Sequence, residues 1–224
     1  GAEGVYTAMN NNLQIDRDMG VDTNPLLIDK GEGLGTSSER CQFLCRNILE
    51  LDIPPESFDT VISLSCVDWN IETTKMMDRL WALVKDGGCF LLSVRLTPEA
   101  STNDISKSYQ DIGDLSIPDK ANYVVFNFEE FLRLASTQSP QPSNIYGYGY
   151  WGKPGVGVHT HYDSLVMAVF ILEKRKGETS EDISLREFIS NLHLYVILTR
   201  GSCGRKVPSH GSCQYFLPRT SLKN

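Results

Sequence analysis

Two apolar, β-branched runs near the middle of the chain predict its architecture. Phe58 to Ser65 begins at an acidic turn, and Cys89 to Leu96 follows Gly87 and Gly88. Each run has the length and composition of a buried strand in an α/β sheet. Between them, Ile71 to Val84 carries apolar side chains at spacings of three and four, which predicts a helix that covers the sheet. The stripe consists of Met76, Met77, Leu80, Trp81 and Val84.

Strand and helix patterns alternate along most of the chain, which favours a mostly parallel sheet with right-handed crossovers. Besides Ile71 to Val84, helices are predicted at Val5 to Leu13, Pro25 to Lys30 and Asn127 to Ser136. Asn127 is the predicted N-cap of the last helix, with two glutamates in its first turn. Besides the two central runs, strands are predicted at Asp18 to Asp22, Gln42 to Arg46, Asn144 to Tyr150 and Ser164 to Lys174. The segment Thr97 to Lys120 is predicted to be a long polar connection.

The last two predicted strands are joined by Trp151 to Asp163. A connection of about 13 residues without a helix is too short for a parallel crossover, so this pair is expected to be antiparallel. The strand Asn144 to Tyr150 is expected to run parallel to the earlier strands. The sheet is therefore predicted to be mostly parallel and to end in an antiparallel hairpin.

The two ends of the sequence differ from the alternating part. No predicted strand precedes Gly1-Ala-Glu-Gly4, so we expect an N-terminally truncated domain that lacks its first strand. After Lys176, the sequence predicts a short helix near Ile183 to Leu192, an apolar stretch and an irregular tail from Gly201. We expect a domain over residues 1–176 and a C-terminal extension over 177–224. Two alternatives remain for this extension. Either the segment 192–198, from the same or a neighbouring chain, inserts as the missing first strand, or the tail hangs loose.

Composition limits the partners. The formal net charge of −7 provides no basic face for a phosphate backbone, so nucleic acids are disfavoured and a small-molecule partner is expected. No apolar run approaches the ~20 residues of a membrane-spanning helix, and no secretory leader is recognisable, so a cytoplasmic protein without a membrane partner is predicted. The six cysteines lack CxxC spacing, which favours free thiols and no metal. The sequence leaves the oligomeric state open.

Several residues are predicted at the carboxyl ends of strands, where open α/β sheets bind ligands. The glycines Gly1 and Gly4 open the first helix, where backbone N–H groups approach an anion. Asp22 follows at about the ~20-residue distance expected of a carboxylate that accepts ribose hydroxyls. Asn47 follows the predicted strand Gln42 to Arg46. The alternatives are a helix N-cap for Asp22 and a turn for Asn47.

These features, with Asp59 at the start of one central strand and Gly87-Gly88 before the next, resemble the class I S-adenosylmethionine-dependent methyltransferases over residues 1 to about 176. The resemblance implies a Rossmann-like α/β methyltransferase fold and S-adenosylmethionine as cofactor. It also implies cofactor contacts for eight residues. Gly1, Glu3 and Gly4 would lie beneath the methionine part, Asp22 at the ribose, Asn47 and Ile48 at the adenine, and Ser65 and Cys66 near the sulfonium. The sequence departs from the family at Ala2-Glu3, where a further glycine is commoner.

The loop Trp151 to Asp163 is the predicted acceptor region, because the preceding parallel strand, Asn144 to Tyr150, delivers it to the donor end of the sheet. His159 and His161 are the candidate catalytic residues, since a histidine can take the proton of a hydroxyl as the methyl group transfers. The alternatives are that both are exposed loop residues, or that the reaction needs positioning alone. The sequence Val67-Asp68-Trp69-Asn70 replaces the Asn/Asp-Pro-Pro-aromatic signature of amino-methylating nucleic-acid enzymes.

We therefore expect a methyltransferase that acts on a small molecule, chiefly at oxygen, with a sugar or secondary-metabolite acceptor. The alternative is a catalytically inactive, methyltransferase-like binding or scaffold module. A nicotinamide-dependent oxidoreductase fits less well, because the full GxGxxG motif is missing and the final hairpin is unusual for that class.

Overall fold

The computed structural model describes residues 15–33, 41–112 and 119–176, together with the backbone of 196–200. The chain divides into two compact units, Gly1–Ile53 and Pro54–Asn224, and each unit is described by itself. The predicted helix Val5 to Leu13, the predicted helix Ile183 to Leu192 and the tail from Gly201 lie outside the described residues. The predicted boundary at residue 176 remains a prediction.

In the first unit, two strands flank a short helix. Strand β1 (Asp18–Asp22) pairs in parallel with β2 (Cys41–Cys45), and α1 (Pro25–Gly31) lies between them in sequence. Asn24 caps α1, because its side-chain oxygen accepts a hydrogen bond from the Leu26 N–H at 3.0 Å. The three elements match the sequence prediction to within one residue at each end.

The second unit contains a larger sheet. Its strands are β3 (Phe58–Ser63), β4 (Val84–Thr97), β7 (Phe126–Asn127), β8 (Asn144–Gly152), β10 (Leu165–Glu173) and β11 (Val196–Arg200). The order is β11-β8-β10-β4-β3, with β7 beside the end of β4. Strands β3 and β4 are parallel, whereas β10 is antiparallel to both β4 and β8. Strand β8 therefore runs parallel to β4, and the predicted antiparallel hairpin is confirmed.

Two helices cover one face of this sheet. Helix α2 (Thr73–Ala82) buries the predicted apolar stripe, with Met77 and Trp81 almost fully inaccessible. Helix α3 (Phe128–Ser136) packs Phe131 against Phe170 of β10, with ring centroids 4.7 Å apart. The Asn127 side chain caps α3, as predicted, by accepting hydrogen bonds from the N–H groups of its first turn.

The segment Lys85 to Gly88, which precedes the predicted strand Cys89 to Leu96, belongs to β4 itself. Val84 pairs with Phe58 and Cys89 with Thr60, so the intervening residues bulge out of the ladder. Gly87 has a φ of +74°, and a Cβ on Gly88 would lie 2.5 Å from the Asp59 carbonyl oxygen. Both positions therefore require glycine, which explains why the sequence resembles a turn although the strand continues.

The polar connection after β4 contains secondary structure that the sequence did not predict. Strand β5 (Tyr109–Asp111) pairs antiparallel with β6 (Lys120–Asn122) and with β9 (Val158–His159). Strands β5 and β6 lie between β4 and α3, whereas β9 lies between β8 and β10. Both connections leave the carboxyl ends of parallel strands of the larger sheet. The small sheet, which we call the cap, therefore lies at the carboxyl ends of those strands.

The hypothesis that 192–198 replaces a missing central strand is wrong for the part of that segment that the structure describes. Residues 196–200 form β11, which pairs in parallel with β8. Strand β8 and strand β3 lie at opposite sides of the β10-β4 pair, so β11 occupies the far edge of the sheet. Residues 196–200 therefore do not pair with β3, beside which the segment was expected to insert.

Among the described helices, none is both long and apolar enough to span a bilayer.

Candidate functional site

Two predicted site residues lie together at the carboxyl ends of β1 and β2. Asp22 pairs with Cys45, and the Asp22 carbonyl oxygen accepts a hydrogen bond from the Arg46 N–H at 2.9 Å. Asn47 follows directly, so the two side chains leave adjacent strand ends. Asp22 and Asn47 therefore share one edge of the first unit, where the resemblance places the ribose and the adenine.

The two side chains also make local hydrogen bonds. Asp22 Oδ1 accepts from the Asn24 N–H at 2.8 Å, and no described residue donates to its Oδ2. Asn47 Oδ1 accepts from the Leu49 N–H at 3.1 Å, while its amide donates to Glu50 at 3.2 Å. Asp22 is thus held in place by one carboxylate oxygen, and the other oxygen accepts no hydrogen bond from the described residues. Asn47 stabilises a turn, which is the alternative that the sequence left open.

The predicted sulfonium contacts, Ser65 and Cys66, lie in the turn that follows β3. Ser65 adopts a φ of +52°, and its N–H donates to Ser93 Oγ on β4 at 2.6 Å. A left-handed backbone at a non-glycine residue costs about 1–3 kcal/mol and is common at ligand sites. Ser65 and Cys66 are both exposed. The turn is therefore a strained and accessible element at the carboxyl end of the sheet.

A buried ion pair joins the second half of this turn to β4. Asp68, in the 3-10 turn Val67–Trp69, faces Arg95 of β4, with Oδ2 and Nη1 3.2 Å apart. Arg95 also donates to the Asp68 carbonyl oxygen at 2.9 Å. Its guanidinium lies 4.4 Å from the Trp69 ring centre and 3.7 Å from that of Tyr123. Both members of the pair are more than nine-tenths buried.

Burial controls the electrostatics of this pair. Desolvation raises the pKa of Asp68 to about 6 although the Arg95 charge opposes the shift. Among the described residues, nothing donates a hydrogen bond to Asp68 Oδ1. A buried carboxylate that is only partly hydrogen-bonded destabilises its charged form.

The raised pKa predicts a pH-dependent stability. The folded state binds the Asp68 proton more tightly than the unfolded state, in which the pKa is near the ordinary 3.8. Stability should therefore fall as pH rises from about 4 to about 6, by about 3 kcal/mol from this group. We expect Asp68→Asn to remove this component. Urea unfolding of both proteins between pH 4 and 7.5 checks it, and a constant difference between them would contradict the pKa assignment.

The cap carries the first predicted catalytic histidine, His159. Its Nε2 lies 2.7 Å from Asp111 Oδ2 of the neighbouring strand β5. The imidazole stacks on Tyr109, with ring centroids 4.6 Å apart and planes 16° apart. Lys120 also lies over the Tyr109 ring, with its Nζ 3.8 Å from the ring centre. The side chains of His159 and Asp111 are each half-exposed, so the pair is accessible to solvent and to a ligand.

The second predicted histidine, His161, lies two residues further along the same connection. Its ring is exposed and contacts that of Tyr162, with centroids 3.8 Å apart. Tyr162 is buried, and its hydroxyl donates to the Ala100 carbonyl oxygen at 2.5 Å. Tyr162 thereby fastens the connection that carries both histidines to the segment after β4.

The structure brings together some predicted residues and leaves others apart. Asp22, Asn47 and Ile48 share the first unit, Ser65 and Cys66 share the turn after β3, and His159 and His161 share the β8–β10 connection. Gly1, Glu3 and Gly4 lie outside the described residues. The sequence reasoning missed three charged residues, Asp68, Arg95 and Asp111. Arg95 had a detectable signal, because it interrupts an apolar strand. No cluster of three or more metal-ligating side chains occurs in the described ranges.

The strand order is the decisive observation. In the second unit, β3, β4, β10 and β8 lie side by side, with β10 alone reversed among the four. The family model described as a methyltransferase domain matches residues 2–92, which include both β1–β2 and β3–β4. Residues 2–92 are therefore similar to a methyltransferase domain. Comparison with curated proteins finds no match.

Solved methyltransferases share the fold at low identity. An S-adenosylmethionine-dependent methyltransferase from Methanosarcina mazei has a TM-score of 0.50 and 15% identity, covering 75% of this chain and 97% of that one. The phosphoethanolamine N-methyltransferase 2 of Haemonchus contortus, solved with phosphomonomethylethanolamine and S-adenosylhomocysteine, has a TM-score of 0.53 and 13% identity. That match covers 79% of this chain but 48% of the Haemonchus protein, and another match, from Haloferax volcanii, is covered to 41%.

A third similar structure differs in its stated activity. The cyclase SpnF has a TM-score of 0.50 and 14% identity, covering 79% of this chain and 73% of that one. Identities this low show the fold alone.

S-adenosylmethionine is the cofactor that the match to a methyltransferase domain indicates, and the described residues fit it. At the end of β1, Asp22 has one carboxylate oxygen that accepts no hydrogen bond from the described residues. Ser65 and Cys66 expose short polar side chains at the end of β3. These residue types match the polar ribose and the small methyl-bearing centre of the donor.

Proposed function

We propose that this protein transfers a methyl group from S-adenosylmethionine to an oxygen atom of a small molecule, of a sugar or secondary-metabolite type. The observation that supports the acceptor assignment is the cap. Its strands come from the connections after β4 and β8. It presents the His159–Asp111 pair at the carboxyl ends of the parallel strands of the larger sheet. A half-exposed histidine with a fixed carboxylate partner is suited to accept a hydroxyl proton.

The proposed donor contacts follow the two units separately. In the first unit, Asp22 contacts the ribose, while Asn47 and Ile48 contact the adenine. In the second unit, Ser65 and Cys66 stand near the methyl-bearing sulfur. Gly1, Glu3 and Gly4 are proposed to support the methionine part of the donor on the strength of the sequence resemblance.

His159 is the better placed of the two candidate bases. If its Nε2–H donates to Asp111, Nδ1 is left as the proton acceptor. The acceptor hydroxyl then loses its proton to Nδ1 while its oxygen bonds to the methyl carbon. S-adenosylmethionine would supply the methyl group, and the electron pair of its methyl–sulfur bond would remain on sulfur. The carboxylate of Asp111 stabilises the imidazolium that results. His161, two residues further on, is proposed to line the acceptor.

Asp22→Ala should weaken the binding of S-adenosylhomocysteine by roughly 10- to 150-fold, the scale of a lost charge-assisted hydrogen bond of about 1.5–3 kcal/mol. Titration calorimetry measures the change. Asp29→Ala is the matched control, because Asp29 is an exposed aspartate on helix α1 of the same unit. Unchanged affinity in Asp22→Ala would remove the ribose assignment.

Incubation with methyl-labelled S-adenosylmethionine and a metabolite extract tests the function itself. We expect label to enter a small molecule, and mass spectrometry of the product to place the methyl group on oxygen. Label on nitrogen would leave the methyltransferase assignment intact and would overturn the oxygen acceptor.

A catalytically inactive binding or scaffold module is the second candidate. The observation that favours it is the structural likeness to a cyclase, which means that this fold alone does not establish methyl transfer. Such a module would bind S-adenosylhomocysteine and transfer no label to any acceptor. The calorimetric and labelling experiments together separate the two candidates.

A further inference from the structure

The turn after β3 is held by two polar side chains of one neighbouring strand. In β4, Ser93 and Arg95 are the polar residues of an otherwise apolar run from Phe90 to Leu96. They are two positions apart, so they project from the same face of the strand. Ser93 Oγ accepts from the Ser65 N–H, and Arg95 donates to the Asp68 carbonyl oxygen. The turn is thus fastened to β4 at both of its ends.

Further contacts hold the Asp68 end. The Asp68 carbonyl oxygen also accepts from the Val124 N–H at 3.0 Å, and its carboxylate faces Arg95. Arg95 itself is confined between the rings of Trp69 and Tyr123. Each of these contacts restricts either the turn or the guanidinium that binds it. The exposed residue Ser65 forms one fastened end, and the exposed residue Cys66 lies between the two ends.

The pair is a poor device for stability alone. Removing two charges from water costs several kcal/mol, and a buried ion pair repays that cost only when its remaining polar atoms are hydrogen-bonded. Asp68 Oδ1 accepts no hydrogen bond from the described residues. The Asp68–Arg95 ion pair stabilises the fold only weakly but fixes a strained turn. Its role is therefore better explained by the conformation that it imposes on that turn.

We propose that Asp68 and Arg95 are positioning residues for donor binding, and that their ion pair holds the turn from Ser65 to Trp69 in the conformation that presents Ser65 and Cys66 to S-adenosylmethionine. This inference rests on the proposed donor role of Ser65 and Cys66. Neither Asp68 nor Arg95 touches the donor in this account.

The sheet supplies matched controls at its other end. Lys174 is a buried cation whose Nζ donates to the Val84 carbonyl oxygen at 2.8 Å, beside the amino end of β4. Asp59 pairs with Lys85 near the start of β3, with Oδ2 and Nζ 2.9 Å apart. Lys174→Met and Asp59→Asn therefore repeat the chemical changes of Arg95→Met and Asp68→Asn away from the turn.

The test is calorimetric titration of the full 224-residue chain with S-adenosylhomocysteine, at a temperature where circular dichroism shows each variant folded. We expect Arg95→Met and Asp68→Asn to lower the affinity by about tenfold, within the range of couplings carried through a packed network. Arg95→Lys, which keeps the charge and a donor, should recover most of the loss. Lys174→Met and Asp59→Asn should bind as the wild type does.

Several outcomes would overturn the proposal. If the wild type binds the ligand and both Arg95→Met and Asp68→Asn bind equally well, the pair does not position the turn. Equal losses in Lys174→Met and Asp59→Asn would show a general effect of destabilisation. If Arg95→Met does not fold, the comparison of Asp68→Asn with Asp59→Asn decides alone. A wild type that fails to bind would overturn the proposed donor site as well, and so differs from a failure of this inference.

Discussion

Arg95→Ala is expected to lower the free energy of unfolding by about 3–5 kcal/mol, the usual cost of removing one partner from a buried ion pair. The substitution leaves the Asp68 carboxyl buried without its cation and removes the guanidinium from between Trp69 and Tyr123. The Asp68 carbonyl oxygen would also lose one of its two donors. Urea unfolding at pH 7.5 measures the loss.

Arg133→Ala is the control for this prediction, because Arg133 is an exposed arginine on helix α3. It should change the free energy of unfolding by no more than about 0.5 kcal/mol, as is usual for surface substitutions. Adding Asp68→Asn to Arg95→Ala should restore part of the lost stability. The substitution replaces the carboxyl group that has lost its cation by an amide, which is uncharged at every pH. An Arg95→Ala protein as stable as the Arg133→Ala protein would show that the pair contributes nothing to the fold.

His159→Ala is expected to lower the rate of methyl transfer by about 100-fold or more, the scale of general base catalysis by a positioned side chain. The affinity for S-adenosylhomocysteine should stay unchanged, because His159 is assigned to the acceptor. The rate is measured with labelled S-adenosylmethionine and the acceptor identified from the extract. Asp111→Asn should give a smaller loss, since it keeps a hydrogen-bond acceptor for the ring but removes the charge.

Two variants in the same connection sharpen this prediction. Lys153→Ala, an exposed residue of the β8–β10 connection, should retain the wild-type rate. His161→Ala should lower the rate less than His159→Ala, because His161 contacts Tyr162 and has no carboxylate partner among the described residues. A His159→Ala protein with the wild-type rate would exclude the base and leave catalysis to positioning.

The sequence predicted those elements that have a long periodic pattern of apolar residues or a specific helix N-cap residue. Helix α2 followed from the spacing of Met76, Met77, Leu80 and Trp81, and helix α3 from the Asn127 cap. The final hairpin followed from connection length. The cap was missed because its strands are two or three residues long and lie in polar segments, where no alternation of apolar residues is detectable.

The missed site residues depend on contacts between distant parts of the chain. Asp68 and Arg95 are 27 positions apart, and Asp111 and His159 are 48 apart, so no local spacing predicts either pair. Parallel strands β3 and β4 bring the first pair together, and the unpredicted pairing of β5 with β9 brings the second. Asn47 shows the opposite limit, because a residue type that suits adenine also suits the turn that it forms.

The central claim is that the donor binds at the carboxyl ends of the strands. Hydrogen exchange of the full chain, measured by mass spectrometry with and without S-adenosylhomocysteine, tests it most directly. The account predicts slower exchange in peptides that contain Asp22, Asn47 and the turn from Ser65 to Trp69, with no change at Lys85 to Gly88 and no effect of NAD. Protection confined to other segments, or equal protection by NAD, would contradict the account.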